Sequence, residues 1–142
     1  MKEKIIPDSD HVARYCKPST IDGDEIQATA FFLRPEEPDL SVNWLEFFKL
    51  KSREKEISEI QKIYSRKFKK VSSNARIAVL NVGETKIKVL ESEDKRNLKF
   101  KHNPLQEDPS HSSIYDMRPN AEEIAELILS VVDHKNHVYP AK

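Results

Sequence analysis

The sequence predicts an α+β fold: one small antiparallel sheet packed by a long central helix and a C-terminal helix. Three observations carry that expectation. Ile57, Ile60, Tyr64 and Phe68 lie three or four apart and make one apolar stripe over residues 52–69. The runs 26–33 and 76–82 are β-leaning, and Lys86, Ile87, Lys88 and Val89 then alternate. Near the end, Asn120 stands three residues before Glu123, ahead of an apolar face of Ile124, Leu127, Ile128, Val131 and Val132. Helices gathered on one face of a single sheet bury these stripes most simply. A chain of 142 residues suits one domain, 1–142, with 1–10 and 134–142 as irregular tails.

The elements follow in order. Asp8 can cap a short helical turn through His11, Val12, Arg14 and Tyr15, which Pro18 stops. Thr20 to Glu25, with Gly23, reads as a turn, and Ile26 to Leu33 as a strand. Pro35 and Pro38 mark a loop. Leu40 to Phe48 suits either period, and the spacing of Leu40, Trp44, Leu45 and Phe48 favours a short helix. Ser52 caps the central helix, with Glu54 and Glu56 in its first turns and basic residues in its second half, as the helix dipole prefers. Strand 76–82, a turn at Gly83 and the alternation at 85–90 predict a β-hairpin with one wet face. Asn97 to Lys101 reads as a third strand, and Pro104 and Pro109 bracket a loop. Asn120 opens the last helix, and the stretch from His134 onward is polar.

Composition removes several functions. Two glycines, Gly23 and Gly83, cannot supply a phosphate cradle of the Walker or dinucleotide type. The single cysteine, Cys16, excludes an internal disulfide and a multi-Cys zinc site, and fits a reducing compartment. No apolar run reaches transmembrane length and none near the N-terminus has signal-peptide character, so a cytoplasmic protein without membrane contact is expected. Lys+Arg and Asp+Glu number 24 each, which argues against a globally basic nucleic-acid binder. The charges are segregated, however. Residues 49–76 hold ten Lys/Arg against three Glu, while residues 105–127 hold Arg118 against six acids.

That segregation supports the leading expectation, a small intracellular binding protein that presents a basic helix (52–70) to an anionic partner. Nucleic acid, a nucleotide or an acidic protein face would meet Lys62, Arg66, Lys67, Lys69, Lys70 and Arg76. The plainer alternative is a solvated helix face whose charges pair within the fold.

A second class of function rests on histidines. His11 and Arg14, at i and i+3 on a helical turn, face the same way, and the segment Asp108-Pro-Ser-His111-Ser-Ser-Ile114 surrounds a histidine with hydroxyls. Brought together, they resemble in outline a two-histidine phosphoesterase or metal-independent ribonuclease, with Arg14 stabilising charge on phosphorus and Ser113 offering a hydroxyl. His111-Ser-Ser113 fits the His-x-Ser/Thr motif of such enzymes, whereas His11-Val-Ala13 does not. Ser110 and Ser112 are further hydroxyl donors. The bland reading is a polar face and an ordinary turn, since Asp and Ser bond their own backbone.

No cofactor and no metal site is expected. His11, Cys16, His102, Asp108 and His111 are ligand types without a recognised spacing, as are Asp133, His134 and His137. A Cys16–His111 nucleophile pair competes with a buried structural thiol, and Glu46 is a carboxylate without an identifiable partner. The third class is a subunit of a larger assembly, with Phe31, Phe32, Trp44, Phe47 and Phe48 as interface anchors in place of their default as core.

Overall fold

The computed structural model describes residues 4–93, 95–119, 121–133 and 137–142. Among them, the strands β1 (Lys4–Ile5), β2 (His11–Cys16), β5 (Leu40–Trp44), β6 (Arg76–Asn81), β7 (Lys99–His102), β8 (His111–Tyr115) and β9 (Val138–Pro140) form one antiparallel sheet. Its order is β1-β7-β8-β5-β2-β6-β9. A small hairpin, β3 (Ile21–Asp22) with β4 (Glu25–Ile26), stands apart from it, turned through Gly23 at φ 63°. The helices are α1 (Arg53–Lys67), α2 (Val82–Leu90) and α3 (Glu122–Val131), and 3-10 turns at Pro18–Thr20, Ala28–Phe31 and Leu45–Phe48 precede α1.

The α+β class holds, but the helices cover both sheet faces. Alternate residues of β2 and β6 sort into two cores. Ala13, Ile77 and Val79 pack with Ile57, Ile60 and Tyr64 of α1. Val12, Ala78 and Leu80 pack with Val89 of α2, Ile124 and Ile128 of α3, and Phe31. A strand buried on both sides loses its wet face, which removes the alternation that reads as β.

This explains the first correction: His11 to Tyr15 is strand, not a helical turn. Asp10 closes a turn on the Pro7 carbonyl, and the chain then runs against β6 from His11↔Asn81 to Cys16↔Arg76. The expected strand 26–33 ends at Ile26, after which Ala28–Phe31 winds into a 3-10 turn with Ala30 and Phe31 buried. Leu40–Phe48 is half strand and half 3-10 turn, not one helix. Lys4–Ile5 and Val138–Pro140 are edge strands where irregular tails are expected.

The predicted hairpin over 76–90 is strand then helix. Asn81 Oδ1 accepts the Glu84 amide at 2.8 Å, so Asn81 is an N-cap rather than the start of a turn. Val82, Thr85 and Val89 are buried while Ile87 is exposed, which is helical spacing beneath an apparent alternation. Gly83 lies inside this helix, its amide on the Asp8 carbonyl at 2.9 Å. Central helix α1 keeps its predicted cap, Ser52 Oγ accepting from the Lys55 amide at 3.2 Å. Asn120, the expected cap of α3, lies outside the described residues, as does His134. Among the described residues no helix is long and apolar enough to cross a membrane.

Candidate functional site

The cleft begins where the sheet opens. β2 and β5 pair only at Val12↔Trp44 and Ala13↔Asn43, although β2 runs on to Cys16 and β5 begins at Leu40. Beyond Asn43 the two strands separate, and Ser41 pairs only with Ser113 of β8. A parted ladder leaves carbonyls without partners, which must be satisfied otherwise. Arg14 does this. Its Nη1 donates to the Ser41 carbonyl and its Nε to the Ala30 carbonyl, both at 2.8 Å. These bonds fix the guanidinium and leave further donors for the opening it lines.

A cleft of about 700 Å³ occupies the gap, lined by residues from both sheet faces. That volume lies within the roughly 300–1,000 Å³ of typical small-ligand sites. Its cations are Arg14, Lys17, Arg34 and Lys67, against the carboxylate of Glu37. Arg34 holds that carboxylate, with its amide at 3.1 Å and Nε at 3.2 Å. Burial raises the Glu37 pKa, and the bonds from Arg34 more than reverse this, leaving it below its ordinary value. Burial pulls the Arg14 pKa down, although the side chain is half-buried and opens onto the cleft.

Aromatic rings make one wall. Tyr15, Tyr64 and Phe68 form a cluster with centroids 4.6 to 5.5 Å apart. Tyr64 is buried, which pushes its phenol up, and its hydroxyl donates to Asn43 Oδ1 at 3.5 Å.

Behind that wall lies a buried polar network. The Asn43 amide donates to Asp108 Oδ1 at 2.7 Å and to Ser110 Oγ at 2.8 Å. Lys67 reaches from the end of α1 to Asp108 Oδ2 at 2.9 Å, pairing with a carboxylate that is 1% exposed. Residue 67 of the basic window thus pairs with residue 108 of the acidic window.

His111 sits on β8 opposite Asn43 and lines the cleft. Its Nδ1 lies 2.8 Å from the Asn103 carbonyl, which can only accept, so Nδ1 carries a proton. Its Nε2 lies 3.3 Å from the hydroxyl of Ser41. In the neutral tautomer with Nδ1 protonated, Nε2 can accept from Ser41.

The structure joins Arg14, Lys67 and His111 at one cleft and leaves other predicted residues out of it. His11 is clipped to Glu46: Nδ1 meets Oε2 at 2.6 Å and the backbone amide meets Oε1 at 2.7 Å. Burial raises the Glu46 pKa, but these bonds outweigh it and hold the carboxyl below its ordinary value. Arg53 stands 3.9 Å from the same carboxylate. His11 does not line the cleft. It lies two strands from His111, about 10 Å across the sheet at the usual strand spacing. Ser113 is fully buried and accepts from Asn103 Nδ2 at 3.3 Å, and Ser110 and Ser112 are buried as well.

Lys62 pairs with Glu59, and Arg66, Lys69 and Lys70 are exposed. Arg76 donates to the carbonyls of Ser73 and Ala75. Cys16 is buried at the end of β2, far from thiolate character, with burial pushing its pKa up to about 12. Among the described residues no three His, Cys, Asp or Glu side chains are grouped to hold a metal ion. Of the aromatics offered as interface anchors, Phe31 and Trp44 are buried, and Phe32 and Phe47 pack partly against the same core. Phe48 packs against the α1-side core.

Sequence reasoning misses Ser41, Asn43, Tyr15 and Lys17. Each becomes visible only through the register of β5 with β8 and the parting from β2. No significant match to this chain is found among protein-family models, curated proteins or solved structures.

Proposed function

We propose that this protein binds a small phosphate-bearing ligand, of the nucleotide type, in the cleft between β2 and β5. The observation that carries the reading is the convergence of Arg14, fixed by two carbonyls, with Lys67 and His111 in one concave space. A desolvated guanidinium gains most from a partner of opposite charge, and its planar fork matches phosphate. Tyr15, Phe68 and Phe32 give a planar group an aromatic surface beside those cations. Arg66, Lys69 and Lys70, exposed beside Lys67 and Phe68 in the chain, add positive potential that hastens capture of an anion. A reducing cytoplasmic setting suits the single buried thiol.

The test is calorimetric titration with AMP, with inorganic phosphate and with a single-stranded oligonucleotide, at low and high salt. AMP binding is expected, weakened by salt. Arg14→Gln is expected to weaken it about tenfold or more, the worth of one charge-assisted hydrogen bond. Arg14→Lys, which keeps the charge but loses the fork, should fall between. No binding of AMP or phosphate, or full-strength binding by a folded Arg14→Gln protein, would remove the reading. Tight binding of the oligonucleotide alone would shift the site to the outer face of α1.

A further inference from the structure

The cleft holds a nucleophile with its base. The Ser41 hydroxyl lies 3.3 Å from His111 Nε2, and the Asn103 carbonyl lies 2.8 Å from His111 Nδ1. This is the order that activates a serine: a hydroxyl, an imidazole able to take its proton, and an acceptor that fixes the ring's tautomer. Two observations set the pair apart from an incidental contact. Ser41 is exposed, facing the cleft, while His111 is 6% exposed and therefore held. Arg14, bonded to the Ser41 backbone carbonyl, brings a cation beside the same residue.

We infer that Ser41 is a nucleophile and His111 its general base, and that the cleft hydrolyses phosphate monoesters. This rests on the phosphate-binding reading above. Phosphoryl transfer suits the surroundings better than acyl transfer, because the charge that develops is spread over phosphoryl oxygens and met by side-chain cations. Here those cations are Arg14 and, already paired with Asp108 at 2.9 Å, Lys67.

In the first step Ser41 Oγ attacks phosphorus while its proton passes to His111 Nε2. The Oγ–P bond forms, and the bond from phosphorus to the ester oxygen breaks, its electron pair leaving on that oxygen. His111 then releases that proton to solvent through the open mouth of the cleft, and the departing oxygen takes a proton from solvent to become the alcohol. In the second step Nε2 takes a proton from water as the water oxygen bonds to phosphorus. The P–Oγ bond breaks, and Oγ recovers that proton. The products are phosphate and the leaving alcohol, and no oxidant or further reactant enters.

The probe is p-nitrophenyl phosphate, whose ring also suits the aromatic wall. Wild type should release p-nitrophenolate above the rate without enzyme, and Ser41→Ala should lower that rate about a hundredfold or more. Ser41 is exposed, so this variant keeps the fold. His111→Gln keeps a donor for the Asn103 carbonyl and should lose turnover equally, with an unchanged circular dichroism spectrum. Phosphate binding, measured on the same samples, should survive in Ser41→Ala. If wild type binds phosphate but shows no turnover, or Ser41→Ala turns over within twofold of wild type, the catalytic inference fails while the binding reading stands. Loss of phosphate binding by wild type sinks the binding reading itself. Ser41-dependent hydrolysis of p-nitrophenyl acetate without the phosphate reaction overturns the phosphoryl assignment.

Discussion

Replacing Lys67 with Met tests the buried network that backs the cleft. The change keeps the length and apolar stem of the side chain and removes the cation that meets Asp108 at 2.9 Å. Asp108, 1% exposed, would retain Asn43 as donor but lose its counter-charge. Breaking a buried ion pair from one side costs about 3–5 kcal/mol. Lys67 keeps 29% exposure in the native pair, so the low end, about 3 kcal/mol, applies. For 142 residues, an unfolding entropy of about 2.1 cal/mol/K per residue converts 3 kcal/mol to a Tm drop of about 10 °C. Urea unfolding of both proteins at pH 7 measures the difference. Asp108→Asn should cost only about 1 kcal/mol, since freed Lys67 reaches water, and the double variant should resemble Asp108→Asn. A gap below 1 kcal/mol at pH 7 would refute the reasoning.

Cys16, whose burial holds it protonated, should resist a disulfide reagent at pH 7.5 in the native protein and react fully in denaturant; rapid native labelling would contradict its placement. Gly83→Ala should destabilise by about 1–3 kcal/mol, because the new Cβ would stand 3.0 Å from the Asp8 carbonyl oxygen, a backbone atom that cannot rotate away. Thermal melts check it, and an unchanged Tm would mean that the N-terminal segment gives way.

What the sequence displays well is an element with a single buried face. The α1 stripe of Ile57, Ile60 and Tyr64 is such a case, and its Ser52 cap stands where the sequence puts it. Elements buried on two sides are displayed poorly. β2 shows no alternation because Val12 and Cys16 serve one core and Ala13 the other. β8 hides for a related reason. Its serines are buried and bonded within the sheet, so a polar segment that resembles a turn is interior strand. For the site, residue chemistry points to Arg14, His111 and Lys67, but grouping them requires pairing. Adding His11 to that group follows from assuming a helical turn, where i and i+3 share a side. In a strand, residues 11 and 14 point to opposite faces, and the pair dissolves.

The same parting of strands accounts for both the stability and the chemistry of the cleft. Once β2 and β5 separate on the Ser41 side of Asn43, the Ser41 carbonyl needs a donor, and an apolar residue at position 14 would strand it together with the Ala30 carbonyl. Arg14 answers both acceptors and, in doing so, becomes a cation whose burial disfavours its own charge. The opening frees the Ser41 side chain from any β2 neighbour while β8 still holds it in register with Ser113, two pairs from His111 opposite Asn43 and on the same sheet face. A continuous ladder would cover Ser41, and a wider gap would lose the contact with His111. The formal charge of zero is therefore a poor guide here. Lys67 joins the acidic window through Asp108, while Arg66, Lys69 and Lys70 stay exposed, so the neutral sum conceals both an internal charge pair and an exposed basic segment.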